Sequence, residues 1–333
     1  MAPRPTRVLK HAAESIAKVF GLGRSIEPLT PVQHTSFETW RLRTASADYL
    51  VKRLWGLEDP PWWTRIEQGM ALEAAALAQG LPIARPVEPT APAFGYAARV
   101  DDFGTVRLYD WIDHRTLTPA DDVAAWLGRV AARLHGLMPL TGVQPEWRWW
   151  GVFPRDRWEE WAAIGRSQDK PWADALAEKV GFFGELGRSI QAAFTAADDQ
   201  VLSHGDLEPY NVLVSAEGPV LIDWESVACE SATLEFSRAA LSFGGDDPAR
   251  ISRILQKYVD SGGTLAAIGD DLFLRTVSLH LCHLAERLDV EVGKEPPPGW
   301  MQGQDLTALI SQDLQTLPQT VHRLRTLATA CLG

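Results

Sequence analysis

The stretch from Leu202 to Glu225, LSHGDLEPYNVLVSAEGPVLIDWE, constrains this chain more than any other. Two short apolar runs, Asn211–Val214 and Pro219–Ile222, flank Ser215-Ala216-Glu217-Gly218, and the set reads as a tight antiparallel hairpin. Polar side chains fall at its ends: His204, Asp206 and Asn211 before the first strand, Asp223 after the second. A hairpin returns its two ends to one place. The oxygens of Asp206, Asn211 and Asp223 are therefore expected to converge at one end of a small sheet. Phosphoryl transfer requires such a grouping: a carboxylate to accept a hydroxyl proton, and hard oxygen ligands for Mg²⁺.

The chain upstream supplies candidate partners. Val8 to Phe20 carries a helical apolar stripe ended by Gly21-Leu22-Gly23, and Ile26–Val32, Thr39–Arg43 and Tyr49–Leu54 read as strands. The joining segment His34–Glu38 has no glycine. It is either a plain hairpin loop or a phosphate cover in which Ser36 or Thr35 donates a hydroxyl. Strand alternation puts Lys52 on the face of Leu50 and Leu54, where it is either a snorkelling surface lysine or a buried ammonium that needs a partner, the downstream motif favouring the second, and leaves Arg53 as a solvated charge. After Pro60-Pro61, Thr64-x-x-Glu67 has the form of a capping box opening a helix that runs to Gly80. Glu73 lies on that helix's apolar stripe with Met70, Ala74 and Leu77, so it is the preferred counter-ion for Lys52, with Glu67 as rival.

Tyr96–Val100 and Val106–Trp111 read as a second hairpin. Its turn spells Asp102-Phe103-Gly104, where Asp and Gly are expected on conformational grounds alone, and it precedes the His204-Gly205-Asp206 segment; we assign it no metal role. Tyr109, Trp111 and Ile112 fall where the chain passes into its helical part, a place suited to stacking an adenine and pairing it with backbone groups.

The remainder is helical: Pro119–Leu137, then Ser231–Phe243, Ala249–Ser261, Gly269–Val292 and Asp305–Leu332. His135 reads as a helix-terminal or packing residue. The Trp-rich run from Trp147 to Trp172 is either core or the wall of a substrate pocket. His280-x-Cys282-His283 has poor ligand spacing for a metal on one helix face. The 333 residues exceed one ordinary core, so two domains are expected, 1–110 and 111–333. A net charge of −11 argues against nucleic acid or an acidic membrane as partner. Three widely spaced cysteines in no CxxC pair, no apolar leader and no run of ~18 apolar residues fit a cytoplasmic protein.

The order of β-strands, Lys52, Glu73, linker, His204-x-Asp206, Asn211 and Asp223, with HGDLEPYNVLV and VLIDWE as its most specific parts, resembles the aminoglycoside phosphotransferase and choline kinase family. The resemblance covers about Ile26 to Tyr258. It implies an α+β, bilobal protein-kinase-like fold, with a small antiparallel N-terminal lobe and a larger helical C-terminal lobe. It further implies ATP or GTP as donor, Mg²⁺, and a small hydroxylated acceptor. The acceptor is an antibiotic such as an aminoglycoside, peptide or nucleoside, or alternatively a metabolite of choline, homoserine or sugar type; a nucleotide-binding pseudokinase is the rival of another class. In that frame Asp206 matches the catalytic aspartate, Asn211 and Asp223 the metal ligands, Lys52 the phosphate-binding lysine fixed by Glu73, and His204 a brace of the loop. Two positions depart from the family pattern: the phosphate loop lacks glycine, and Glu235 stands where an aspartate is usual.

Overall fold

The computed structural model describes residues 6–32, 38–54 and 60–332. Ser36 and Thr35 lie outside the described residues. In chain order the elements are α1 (Thr6–Val19), β1 (Thr30–Pro31), β2 (Thr39–Arg43), β3 (Asp48–Arg53), α2 (Pro60–Ala78), β4 (Ala97–Val100), β5 (Gly104–Asp110), β6 (His114–Thr116), α3 (Ala124–His135), α4 (Arg155–Ser167), α5 (Ala173–Ala197) and β7 (Gln200–Ser203). Then come β8 (Val212–Ser215), β9 (Gly218–Leu221), β10 (Ala228–Ser231), α6 (Ala232–Gly244), α7 (Pro248–Asp260), α8 (Leu274–Glu291) and α9 (Leu306–Leu332). The fold is the α+β, protein-kinase-like one, with an antiparallel sheet in its N-terminal part and helices through most of the rest.

The chain falls into two compact units. The first comprises residues 1–118 together with 210–227. Its antiparallel sheet runs β1-β2-β3-β5-β4. One face is apolar: Trp40, Leu42, Val51, Val106 and Leu108 pack with Ala13, Ile16 and Phe20 of α1 in a continuous core. The opposite face carries Lys52 and Arg107, which are register partners across β3 and β5. Two cations side by side on a buried face repel, so they persist only with matching carboxylates. Helix α2 covers this face, its Ile66 and Met70 packing on Leu54 and Ala97. A Cβ at Gly69 would stand 2.5 Å from the Trp224 carbonyl oxygen, so the bare glycine lets α2 cross that backbone closely. The chain leaving α2 pairs with β9: Ala84 N–H donates to Leu221 O at 3.1 Å and Leu221 N–H to Pro82 O at 2.9 Å. The β8–β9 hairpin, with β6 as third strand, is thereby part of this unit.

Several expectations need correction. Ile26–Val32 yields only the short β1, because Pro28 and Pro31 offer no N–H to a ladder. Helix α2 begins at Pro60, so Thr64 lies inside it and does not cap; proline is tolerated in a first turn. Arg53 is not a solvated charge. It is half-buried, donating to Glu38 at 2.9 Å and lying over the Phe103 ring.

The second unit comprises residues 119–209 and 228–333 and is helical apart from the β7–β10 pair. Helices α3 and α7 approach so closely that a Cβ at Gly128 would meet the Lys257 carbonyl oxygen at 2.6 Å. Trp150, Trp158, Trp161 and Trp172 are fully buried in its core. Trp158 stacks on Phe183 and Trp150 meets Phe194 edge-on, with Arg275 over the Trp150 face at 4.3 Å. Only Trp147 and Trp149 of the Trp-rich run are part-exposed. Most of that run is therefore core.

Candidate active site

In the first unit, Lys52 is 6% exposed and its ammonium donates to Glu225 at 2.5 Å and Asp223 at 2.6 Å. Burial opposes its charge, yet the carboxylates of Glu225 and Asp223 more than offset this and hold its pKa above the ordinary lysine value. Beside it, Arg107 donates to Glu73 and to Glu225, the latter at 3.4 Å. Glu73, 0% exposed, is thus hydrogen-bonded to Arg107, and Lys52 acts on it as a weaker electrostatic neighbour. Burial pushes Glu73 upward, with Arg107 the main opposing pull. Glu225 is pushed to about 7 by burial, against the attraction of Lys52. Two cations, Lys52 and Arg107, face three carboxylates: Glu73, Asp223 and Glu225.

Asp223 is the most exposed member, its side chain 32% accessible, and sits at φ 73° where β9 ends. Asp tolerates this left-handed conformation better than most residues, and it turns the carboxylate back toward the β3 lysine. Asn211 is buried at the same end of the hairpin, its carbonyl accepting the Ile222 N–H at 3.0 Å. The donor set fits Mg²⁺. Asn211 and Asp223 offer hard oxygens, and Asp223 belongs to a group with one carboxylate more than it has cations. Among the described residues no group of three or more His, Cys, Asp or Glu is placed to hold a metal ion by itself.

Tyr109 is buried, its ring 5.1 Å from the Arg107 guanidinium, so its phenol belongs to the charged cluster. Trp111 is half-buried under the Arg41 guanidinium at 4.3 Å and donates through Nε1 to Asp113 at 3.0 Å. Ile112 follows, its carbonyl 2.7 Å from His114 Nδ1. Asp102 occupies the β4–β5 turn at φ 60°, the conformational role read from its sequence.

In the second unit, Asp206 lies on the loop between β7 and Pro209. Its backbone N–H donates to Nδ1 of fully buried His204 at 3.3 Å, and its carboxylate accepts from Arg238 at 2.6 Å. Glu235 accepts the Gly205 N–H at 2.7 Å and meets His135 at 2.8 Å. Burial raises Glu235, but His135, Ser203 and the Gly205 N–H hold it at about 2. His135, expected only to pack or to end a helix, joins Glu235 to the Tyr258 hydroxyl at 2.7 Å.

Arg107, Glu225, Arg238 and Glu208 were not singled out from the sequence. Each is a charged residue inside an apolar run or directly beside a motif residue, which is the signal available for it.

His283 carries a consequence for stability. Burial, helped by Arg287, His280 and Arg238 and opposed by Asp206, holds it down at about 4. Below about pH 6.5 an unfolded chain takes up a proton that folded His283 refuses, so folding weakens as pH falls from about 6.5 to about 4. Thermal melts across that window are expected to fall more steeply for wild type than for His283→Gln. Parallel curves would show that His283 contributes nothing to the slope.

An antiparallel sheet bearing a buried, carboxylate-paired lysine, followed by the His-x-Asp loop and the Asn–Asp hairpin, defines a kinase-like phosphotransferase of small molecules. Over residues 28–267 the chain matches the Phosphotransferase enzyme family, and it belongs to that family. Among solved structures it is similar to a spectinomycin phosphotransferase in complex with ADP and spectinomycin, at 15% identity and TM-score 0.60, covering 97% of this chain and 100% of that one. It is similar to an amicoumacin kinase in complex with AMP-PNP, Ca²⁺ and amicoumacin, at 11% identity and TM-score 0.60, covering 96% and 94%. A choline/ethanolamine kinase family protein from Mesorhizobium loti is similar at 16% identity and TM-score 0.58, covering 97% and 99%. No curated protein sequence matches the chain significantly. Among the described residues no helix is long and apolar enough to cross a membrane.

Proposed function

We propose that this phosphotransferase is an ATP- or GTP-dependent, Mg²⁺-requiring kinase of a small hydroxylated molecule, acting in the cytoplasm on an antibiotic-type acceptor. The observation that carries the reading is the buried lysine shared by Asp223 and Glu225 beside Asn211. A buried ammonium between carboxylates costs desolvation free energy, which a purely structural site could avoid with apolar residues. Its use is to hold nucleotide phosphates.

Each residue has a task in this reading. Lys52 binds the α- and β-phosphates, with Glu225 fixing its ammonium. Glu73 acts one step removed, by holding Arg107 against Glu225. Backbone groups from Tyr109 to Ile112 take the adenine or guanine edge, with Trp111 as a ring beside it. Asn211 and Asp223 would hold the Mg²⁺, which when bound neutralises phosphate charge and orients the γ-phosphoryl group. Asp206 orients the acceptor hydroxyl and takes its proton as the oxygen attacks in line.

The spectinomycin and amicoumacin enzymes support an antibiotic-type acceptor, and the choline/ethanolamine kinase family protein supports a metabolic alcohol as second reading. The burial of four tryptophans in the second unit's core weakens the case for a flat apolar acceptor. A panel of hydroxylated acceptors, including spectinomycin, amicoumacin, choline and ethanolamine, tests the proposal with ATP and GTP in the presence of Mg²⁺. One acceptor is expected to stimulate nucleoside diphosphate release, and Asp223→Asn to lower that rate by about 10²-fold or more. Release that no acceptor stimulates with either nucleotide, or an Asp223→Asn variant as active as wild type, would overturn it.

A further inference from the structure

Helix α6 opens on Ser231, whose hydroxyl accepts the Leu234 N–H at 3.3 Å. Residues three apart on a helix share a face, and Glu235 and Arg238 are so placed. Both address the loop that carries Asp206. Glu235 accepts the Gly205 N–H at 2.7 Å, while Arg238 Nη1 donates to the Gly205 carbonyl at 3.0 Å. One glycine is thus held at both its backbone groups. The same guanidinium reaches Asp206 Oδ1 through Nη2 at 2.6 Å and Glu208 Oε1 through Nε at 2.8 Å. Arg238 is 3% exposed. Burial opposes its charge, but Glu208 and Asp206 more than offset this, so the guanidinium stays ionised.

One buried carboxylate, Glu208, already matches the guanidinium's charge, and the Gly205 carbonyl takes another of its five N–H groups. The second carboxylate it engages belongs to the residue assigned the acceptor proton. We propose that Arg238 is a positioning residue for phosphoryl transfer. It fixes the rotamer of Asp206 through Oδ1 and ties it to the Gly205 peptide, while Glu208 keeps the guanidinium aimed when Asp206 engages a hydroxyl. The inference rests on the reading of Asp206 given above. A planar fork does this and a lysine does not, because three bonds leave one rigid group in fixed directions. Misplacing a catalytic group by about 1 Å costs on the order of 10²-fold in rate.

A double-mutant cycle tests the proposal. kcat and nucleotide KM are measured for Arg238→Met, Arg238→Lys, Asp206→Asn and Arg238→Met/Asp206→Asn, using the acceptor found in the panel or, without one, nucleotide hydrolysis by water. Arg238→Met is expected to lower kcat by about 10–100-fold with nucleotide KM changed less than about threefold, and Arg238→Lys to recover only part. In the Asp206→Asn background the same change is expected to alter kcat by less than about twofold, since there is no carboxylate left to position. A loss by Arg238→Met that persists undiminished in that background would overturn the positioning role and leave the phosphotransferase reading standing. Full activity of Asp206→Asn would overturn the role given to Asp206 and the positioning role with it. Should Arg238→Met fail to fold because Glu208 is left unpaired, Arg238→Met/Glu208→Gln removes the stranded charge and enters the same cycle.

Discussion

Replacing Asp206 with Asn is expected to lower kcat by about 10²–10⁴-fold, with nucleotide affinity nearly unchanged. The substitution is nearly isosteric, and an amide oxygen can still accept from Arg238 Nη2 as the carboxylate oxygen does at 2.6 Å. The Asp206 backbone N–H keeps its bond to His204, and the Gly205 N–H keeps Glu235. Loop geometry therefore survives while the capacity to take a proton does not. Nucleotide binding in our proposal belongs to Lys52 and the Tyr109–Ile112 backbone, none of which the change touches. Steady-state rates with the best acceptor, and nucleotide titrations followed by tryptophan fluorescence, separate the two effects. Turnover within about twofold of wild type would remove Asp206 from the chemistry; a parallel loss of nucleotide binding would mean that the loop had collapsed.

The hairpin was legible because its information is local: two apolar runs, a Gly-containing turn and polar ends give β8 and β9 within a residue of expectation. Helix existence was legible for the same reason. Periodicity placed α6, α7 and α9 closely, while Gly269–Val292 became a short turn followed by α8 from Leu274. The charged cluster was not legible, because its pairings depend on register. Nothing local says that Arg107 stands opposite Lys52; that follows from the antiparallel pairing of β3 with β5. Once the two cations are neighbours, Glu73 is drawn to the nearer guanidinium, and Lys52 turns to Asp223 and Glu225, which lie more than 170 residues along the chain. Arg107 could have been suspected from its place in the apolar run Thr105–Tyr109, on the parity of Tyr109. Arg238 had the weaker signal of a single arginine on a helix otherwise rich in alanine and apolar residues.

The same register makes Arg107 the position whose loss should damage the first unit most. Arg107→Met removes a guanidinium buried between Glu73 and Glu225 and strands the Glu73 carboxylate with no access to water. Breaking a buried pair from one side costs about 3–5 kcal/mol, because the remaining charge loses its partner without regaining hydration. Replacing both members by apolar side chains, as in Glu73→Leu/Arg107→Met, removes the stranded charge as well and is expected to recover most of that loss. Glu225 then remains with Lys52, whose ammonium it already meets at 2.5 Å. Urea unfolding of wild type, the single variant and the double variant, with the transition midpoint and slope compared, checks the ordering. A double variant no more stable than Arg107→Met would show that the cost lies in packing around the guanidinium. Activity of the double variant carries the further distinction. Because Glu73 holds Arg107 against Glu225 in our proposal, nucleotide KM of the double variant is expected to rise even as the fold recovers. An unchanged KM would show that Asp223 and Glu225 alone hold Lys52 in place.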